Sequence, residues 1–375
     1  TPMTSARTAI ERTWRPVLAL TVLGFSTFIA FSKYAAVIRA GGNDHQTGDW
    51  LINYAGGFVR RGFTGELLRI AYPDDLLVAT AVLQMVLWSL FVVFVIYRLR
   101  RDEWSTTSIL LWCGPAAVPF AGWDPAGGLR KEIIAFLALA LMSMAADRTA
   151  RARIALVAAS TIVWAVSLLS WEATVVLLPT LLTLCWRALS DVRRQWWTAA
   201  GGIVLTSAAI VGASMLAPGG ARAATAICDD LIARGYQPQL CNGSVRWLEY
   251  TMQYGFDYTI GFWPQNAYFI PLAALALLPV CWLGRFCERR WLWPLQMAAV
   301  FPLFLIAADY GRWIHMAAIA TAFLALGRDE ERREPPVGFV IVYLLGWGVQ
   351  HALFGMARIP VWRGGWITFV QHYLS

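Results

Sequence analysis

The sequence predicts an all-α polytopic membrane protein with about eleven transmembrane helices. Of its 375 residues, 58% are hydrophobic, only 14% are charged and 20 are tryptophan, whereas a soluble domain carries charge on about a quarter of its residues. The chain divides into apolar spans of about 20 residues, the length that crosses a bilayer. The joins between the spans alternate between two chemical kinds, and that alternation orients the chain.

In order, the spans lie near residues 16–38, 76–97, 105–122, 132–146, 154–170, 173–187, 197–216, 266–284, 291–308, 313–327 and 337–355. The first apolar run, Pro16 to Ala36, follows Arg7, Arg12 and Arg15. It is too long for the apolar region of a signal peptide and has no clear cleavage site, so it reads as an uncleaved first helix. Later joins of the same kind are arginine clusters: Arg98/Arg100/Arg101, Arg148/Arg151/Arg153, Arg187/Arg193/Arg194, Arg285/Arg289/Arg290 and Arg328/Arg332/Arg333. Together with the N-terminal tail they hold 18 of the 31 basic residues, and the positive-inside rule makes that face cytoplasmic.

The other joins mix acids, arginines, glycines and tryptophans: Asn43 to Asp75, Trp123 to Glu132, Trp171-Glu172, Ala217 to Trp263, and Asp309 to Trp313. At Trp171-Glu172 two spans meet with almost no loop, so Glu172 is expected at or just below the membrane surface. The chain then reads as one transmembrane domain, 1–375, with a first extracytoplasmic loop at 41–75 and a large one at 217–263. The N-terminus is cytoplasmic, and the tail from Gly355 to Ser375 is extracytoplasmic. No internal repeat is visible.

The net charge of +8 is an arginine charge, since the only lysines are Lys33 and Lys131. Topology accounts for it without a nucleic-acid partner. Cys113, Cys185, Cys281 and Cys287 read as packing residues, while Cys228 and Cys241 share the large outer loop, where an oxidising compartment lets them pair. There is no Walker loop, His/Cys metal set, HExxH or GxSxG. No cofactor and no dedicated metal site are expected; a divalent ion on Asp44 or Asp49 together with a phosphate is the open alternative.

The outer segments carry the chemistry. In the first loop, Asp44 and Asp49 precede Tyr54 and the run Gly56-Gly57-Phe58-Val59-Arg60-Arg61-Gly62. Glycines let backbone amides turn toward an anion, guanidinium forks grip phosphate oxygens, and a nearby carboxylate can take a proton from a hydroxyl. The competing account is an amphipathic loop whose arginines pair with lipid phosphates. In Asp124-Pro125-Ala126-Gly127-Gly128-Leu129-Arg130-Lys131-Glu132, Arg130 and Lys131 fall near a helix N-terminus. That end already favours anions, so the cations there either serve a ligand or pair with Asp124 or Glu132. Glu172, flanked by apolar runs, needs a partner such as Arg130 or a function. Asp309 and Arg312 sit three residues apart, within reach of each other on a helix. His315 is expected to be packed or pore-facing.

These patches, Asp49-Trp50 through Gly65, Gly128 to Glu132, Trp171-Glu172 and Asp309 to Trp313, resemble polytopic bacterial proteins of polysaccharide assembly. Broadly these are GT-C-type glycosyltransferases, including O-antigen and exopolysaccharide (Wzy-like) polymerases. The resemblance implies a GT-C-like fold in the bacterial cytoplasmic (inner) membrane. It also implies a polyprenyl-(pyro)phosphate-linked sugar donor, a saccharide acceptor and contact with other polysaccharide-assembly proteins. An acid of the first loop, Asp44 or Asp49, would serve as base, with Glu172 as a substitute. Arg60, Arg61, Arg130 and Arg312 would hold the lipid pyrophosphate, with Lys131, Asp309 and Tyr54 completing the substrate-binding set. The chain departs from many GT-C enzymes in lacking adjacent acids between Asn43 and Trp50. A single-sugar transferase using a polyprenyl-phosphate sugar is the nearest alternative. Other classes are a transporter or flippase of lipid-linked substrates, marked by broken helices, and an acyltransferase dependent on His315 or His351.

Overall fold

The computed structural model describes residues 2–217, 219–283, 291–326 and 334–352. Among these there are helices, turns and no strand. In chain order the α-helices are α1 (Pro2–Arg39), α2 (Gln46–Leu51), α3 (Phe63–Ala71), α4 (Leu76–Arg101), α5 (Thr106–Cys113), α6 (Phe120–Trp123), α7 (Pro125–Gly128), α8 (Glu132–Ala145), α9 (Ala150–Ser170) and α10 (Leu178–Leu189). They continue with α11 (Arg193–Leu216), α12 (Ala221–Ala233), α13 (Met252–Gly261), α14 (Trp263–Asn266), α15 (Phe269–Leu277), α16 (Leu292–Val300), α17 (Leu303–Ile306), α18 (Tyr310–Leu324) and α19 (Val337–Leu345).

Five described segments are long and apolar enough to cross a membrane: Thr13–Arg39, Leu76–Arg101, Ala150–Ser170, Glu172–Leu189 and Arg193–Leu216. The other expected spans are shorter or broken. The span near 105–122 becomes α5, an irregular turn and the short α6, because Pro115 and Pro119 each remove a backbone donor. Pro302 likewise separates α16 from α17, and a 3-10 turn that includes Pro279 follows α15. Helix α18 has fifteen residues, all buried, so it is a core helix enclosed by the others. The expected arginine clusters at 285–290 and 328–333, Cys287 and the tail from Gly355 lie outside the described residues.

The two kinds of join separate in space. Where arginines dominate, Arg101 pairs with Asp147 at 2.8 Å and Arg98 with Asp102 at 3.3 Å. Arg153 binds Asp191, and Arg187 caps the end of α18 by donating to the carbonyls of Leu324 and Leu326 at 2.6 and 2.9 Å. Arg15 reaches Glu334 at 3.6 Å.

At the opposite ends of the same helices the mixed joins meet one another. The Arg60 amide donates to the Ala217 carbonyl, the Ser244 hydroxyl to the His45 carbonyl, and the Asn53 side chain to Asp230. Cys228 and Cys241 are joined by a disulfide that ties α12 to the turn after it.

Aromatic rings fill the centre. Phe91, Phe94, Trp112, Phe136 and Phe323 are buried together, with the Trp112 and Phe323 ring centres 5.1 Å apart. Lipid provides little hydrophobic drive between helices, so close packing of this sort carries their association. This frame delivers the start of α8, the start of α18, the end of α9 and the short α2 to one buried locus.

Candidate functional site

The locus is built around Asp49. Its short helix α2 is buried along its whole length and is seated by Asn43, whose side-chain oxygen accepts from the amides of His45 and Gln46. Gly65 lets α3 press onto the backbone of residues 51–52: a Cβ there would collide with the Ile52 carbonyl. Gly62 lies equally close to the Tyr54 ring, and Gly56 rests on Ala223. Gly56, Gly62 and Gly65 therefore serve close packing, whereas Gly57, at a φ of 97°, has nothing within 4 Å of where a Cβ would stand.

Asp49 is 2% exposed, and both of its oxygens face cations. Arg130 Nε lies 3.8 Å from Oδ2, and Lys131 Nζ lies 3.8 Å from Oδ1. Burial alone would raise the Asp49 carboxyl, but Lys131, Arg130, Arg61 and Arg312 together outweigh it and hold the group below the usual carboxylate value. Lys131 is fully buried. Burial brings its ammonium down to about 8, although Asp49 opposes the shift.

Lys131 also donates to the Arg61 carbonyl at 2.8 Å. Arg61 has a φ of 67°, in the left-handed region that a side chain with a Cβ rarely adopts. The lysine contact pins that conformation. From there Arg61 Nε donates to Glu172 Oε1 at 3.3 Å, and Arg60 lies 3.6 Å from the same oxygen. Arg60 also donates to the Trp247 carbonyl of the large loop. Burial, with Arg61 alongside, brings Arg60 down to about 10 against the pull of Glu172.

A second buried cluster abuts the first. Arg312 Nε donates to Glu132 Oε1 at 2.7 Å, and its Nη1 binds Asp309. The guanidinium lies 4.8 Å from the Trp171 ring centre and 5.2 Å from that of Trp313, while the two indoles stack 5.8 Å apart. Asp309 is held at about 2: burial opposes this, but Arg312, then His351 and Arg130, prevail. Next to it Asp124 accepts at Oδ2 from the His351 amide at 2.6 Å, with the His351 ring nitrogen Nδ1 at the same distance. At Oδ1, Asp124 accepts from the Gly127 amide.

Nine of the ten sequence-derived candidates can now be compared in pairs. Asp49, Arg60, Arg61, Arg130, Lys131 and Glu172 form one connected network, and Asp309 with Arg312 adjoins it. Asp44 does not join it; its carboxylate pairs with the His45 ring at 3.1 Å, and its carbonyl accepts from Ser244. Tyr54, the tenth, stacks on Phe58 and offers its amide to Glu66, so it shapes the loop. The partners anticipated for Arg130 are also reassigned. Glu132 belongs to Arg312 and Asp124 to His351, because α18 and residue 351 pack against this join and reach those acids first. Glu172 pairs with Arg61 and Arg60. His315 is packed, its Nδ1 2.8 Å from the Ala116 carbonyl and its ring stacked on Phe120.

Several buried polar atoms here lack hydrogen-bond partners among the described residues: Arg130 Nε, Asp49 Oδ1, Glu132 Oε2, Glu172 Oε2 and Arg60 Nε. Arg130 stands out. Its side chain is 9% exposed, and its sole ionic contact among the described residues is the long one to Asp49. A buried guanidinium left in that state is costly unless an anion completes it. Across the locus Arg60, Arg61, Arg130, Lys131 and Arg312 face Asp49, Glu132, Glu172 and Asp309, so positive charge is in excess. No grouping of His, Cys, Asp and Glu suited to a metal occurs among the described residues. Compared with family models, curated proteins and solved structures, the chain matches none.

Proposed function

We propose that the chain is a membrane glycosyltransferase working on polyprenyl-(pyro)phosphate-linked saccharides at the outer face of the bacterial cytoplasmic membrane, with an eleven-span, GT-C-like fold and the N-terminus inside. In the preferred version it is an O-antigen or exopolysaccharide polymerase. The observation that carries the reading is Arg130, buried with no hydrogen-bond partner for its Nε among the described residues, next to Lys131 and within a network that includes Arg60 and Arg61. A leaving phosphate gathers negative charge in the transition state, and fixed cations in a dry site stabilise it strongly.

In this scheme Arg130 and Lys131 take the phosphate, and Arg60 and Arg61 assist. The acceptor sugar hydroxyl gives up its proton as its oxygen bonds to the donor's anomeric carbon. The bond from that carbon to the phosphate oxygen breaks, and the electron pair leaves with the phosphate. Asp49, held below the usual carboxylate range, is a weak proton acceptor and acts by positioning Arg130 and Lys131. The proton then goes to Glu172, whose Oε2 has no hydrogen-bond partner among the described residues.

A transporter of the same lipid-linked substrates is the second reading, favoured by the interrupted helices α5 to α7 and α16 to α17. The test is binding of polyprenyl pyrophosphate and polyprenyl phosphate to the protein in nanodiscs, wild type beside Arg130→Ala and Arg60→Ala/Arg61→Ala. Pyrophosphate preference lost in the variants supports the polymerase, and monophosphate preference the single-sugar transferase. Binding without sugar transfer, but with movement of the lipid across vesicles, supports the transporter. No binding of either lipid by folded protein overturns the site.

A further inference from the structure

We infer that a groove between α9 and α11 is a binding site for one anionic phospholipid, with its headgroup at the arginine-rich end and an acyl chain along the groove. Both helices start at that end. They are tied where Trp164 Nε1 donates to Ser207 Oγ at 2.9 Å, a buried contact about 21 Å along each helix at 1.5 Å per residue. Short of that tie the helices part around Ala158, Ala199 and Gly202, leaving a cavity of about 770 Å³ with Ile154, Val157 and Ile162 on its apolar wall. Its lining runs from Ile154 to Ile162 on α9 and from Arg194 to Gly202 on α11. Either stretch is about 12 Å long, which fits within one leaflet of a hydrocarbon core about 30 Å thick.

The charge at the helix starts selects the occupant. Arg194 lines the groove, and Arg151 and Arg193 are exposed in the first turns of the same two helices. Among the described residues none of the three pairs with a carboxylate. The neighbouring acid, Asp191, is taken by Arg153, whose Nη1 donates to its two oxygens at 2.9 and 2.8 Å. Unpaired guanidinium groups above an apolar slot between spanning helices match a lipid with a charged phosphate and no compensating cation. A zwitterionic headgroup brings its own cation into the same place and gains less.

Native mass spectrometry of the full chain, offered equal phosphatidylglycerol and phosphatidylcholine, tests the proposal. The wild type should retain phosphatidylglycerol with a preference of about tenfold or more. Arg151→Ala/Arg193→Ala/Arg194→Ala should lose the preference; these side chains are exposed, so the fold should survive. A Cβ at Gly202 meets nothing within 4 Å, so Ala158→Leu/Gly202→Leu should fill the groove and abolish retention. Gly212→Leu, equally unobstructed but beyond Ser207, should retain the lipid as the wild type does. Equal retention of both lipids by the wild type would overturn the proposal. So would undiminished retention in the filled variant, or displacement of the lipid by soluble glycerophosphoglycerol, which would make this a free-anion site.

Discussion

Arg312 and Glu132 stand 180 residues apart in sequence and meet in the buried centre of the site, Arg312 Nε donating to Glu132 Oε1 at 2.7 Å. Each side chain is only 4% exposed. Their contact locks the first turn of α18 to the first turn of α8, and the Trp171 and Trp313 rings flank the same guanidinium. The frame is thus fixed by a satisfied pair, while Arg130, two residues before Glu132, has no comparable partner among the described residues. A fully paired guanidinium and one whose Nε has no hydrogen-bond partner among the described residues thus sit side by side.

Glu132→Ala should be among the most destabilising single changes in the chain. It strands Arg312 with Asp309 alone, and breaking a buried ion pair by removing one partner costs about 3–5 kcal/mol. Glu132→Gln, which keeps an acceptor for the Arg312 Nε, should lose less than Glu132→Ala. Thermal unfolding in detergent reads both, and an unchanged midpoint for Glu132→Ala would refute the structural role.

Arg130→Ala should behave in the opposite way, losing lipid-phosphate binding by about a hundredfold, as removal of a charge-assisted partner does, with stability unchanged or raised. Asp49→Asn should instead lower stability, because Arg130 and Lys131 would then share a buried site without their nearby carboxylate. Paired binding and melting measurements separate the two. A drop in stability for Arg130→Ala equal to that of Asp49→Asn would make Arg130 structural.

Much of this arrangement was legible in the sequence. The two chemistries of the joins foretold which segments meet, because spanning helices have only two ends to offer. Arg60, Arg61, Arg130, Lys131 and Glu172 were identifiable as the cations and acids gathered in the outer joins. Which of them pair was not legible. Glu132 finds Arg312 and Asp124 finds His351 across 180 and 227 residues, and no local spacing encodes such a match. The segments around 105–122 and 291–308 are interrupted helices rather than the continuous ones expected, since apolar composition persists through the prolines that break them. Gly62 and Gly65 looked like phosphate-loop glycines and prove to be points of close packing, a distinction that only the neighbouring backbone makes.

Reducing the Cys228–Cys241 disulfide should weaken the site from a distance. The bond closes a short loop of sequence separation 13, for which the chain-entropy account gives about 3 kcal/mol. The same large loop supplies the Trp247 carbonyl to Arg60. Cys228→Ser/Cys241→Ser should raise protease sensitivity between 217 and 263 and weaken lipid-phosphate binding less than Arg60→Ala does. Unaltered cleavage in that loop would refute the stapling role.

Lys131 should give the protein two pH dependences of opposite sign. Its ammonium titrates at about 8 in the folded chain against 10.5 for a free lysine. Between those values the unfolded chain holds more protons than the folded one, so folding stability should rise with pH from about 8 to 10.5. Anion binding needs the charged lysine, and a lipid phosphate is already largely ionised above pH 7. Affinity should therefore be flat below pH 8 and fall toward tenfold per unit above it. Arg60, at about 10, is still charged over most of that interval, so measurements from pH 7 to 9.5 isolate the lysine. In Lys131→Arg, whose guanidinium keeps its charge, the fall in binding and the rise in stability should both flatten. A binding profile that falls identically in wild type and Lys131→Arg would remove Lys131 from the anion site, whatever the stability curve does.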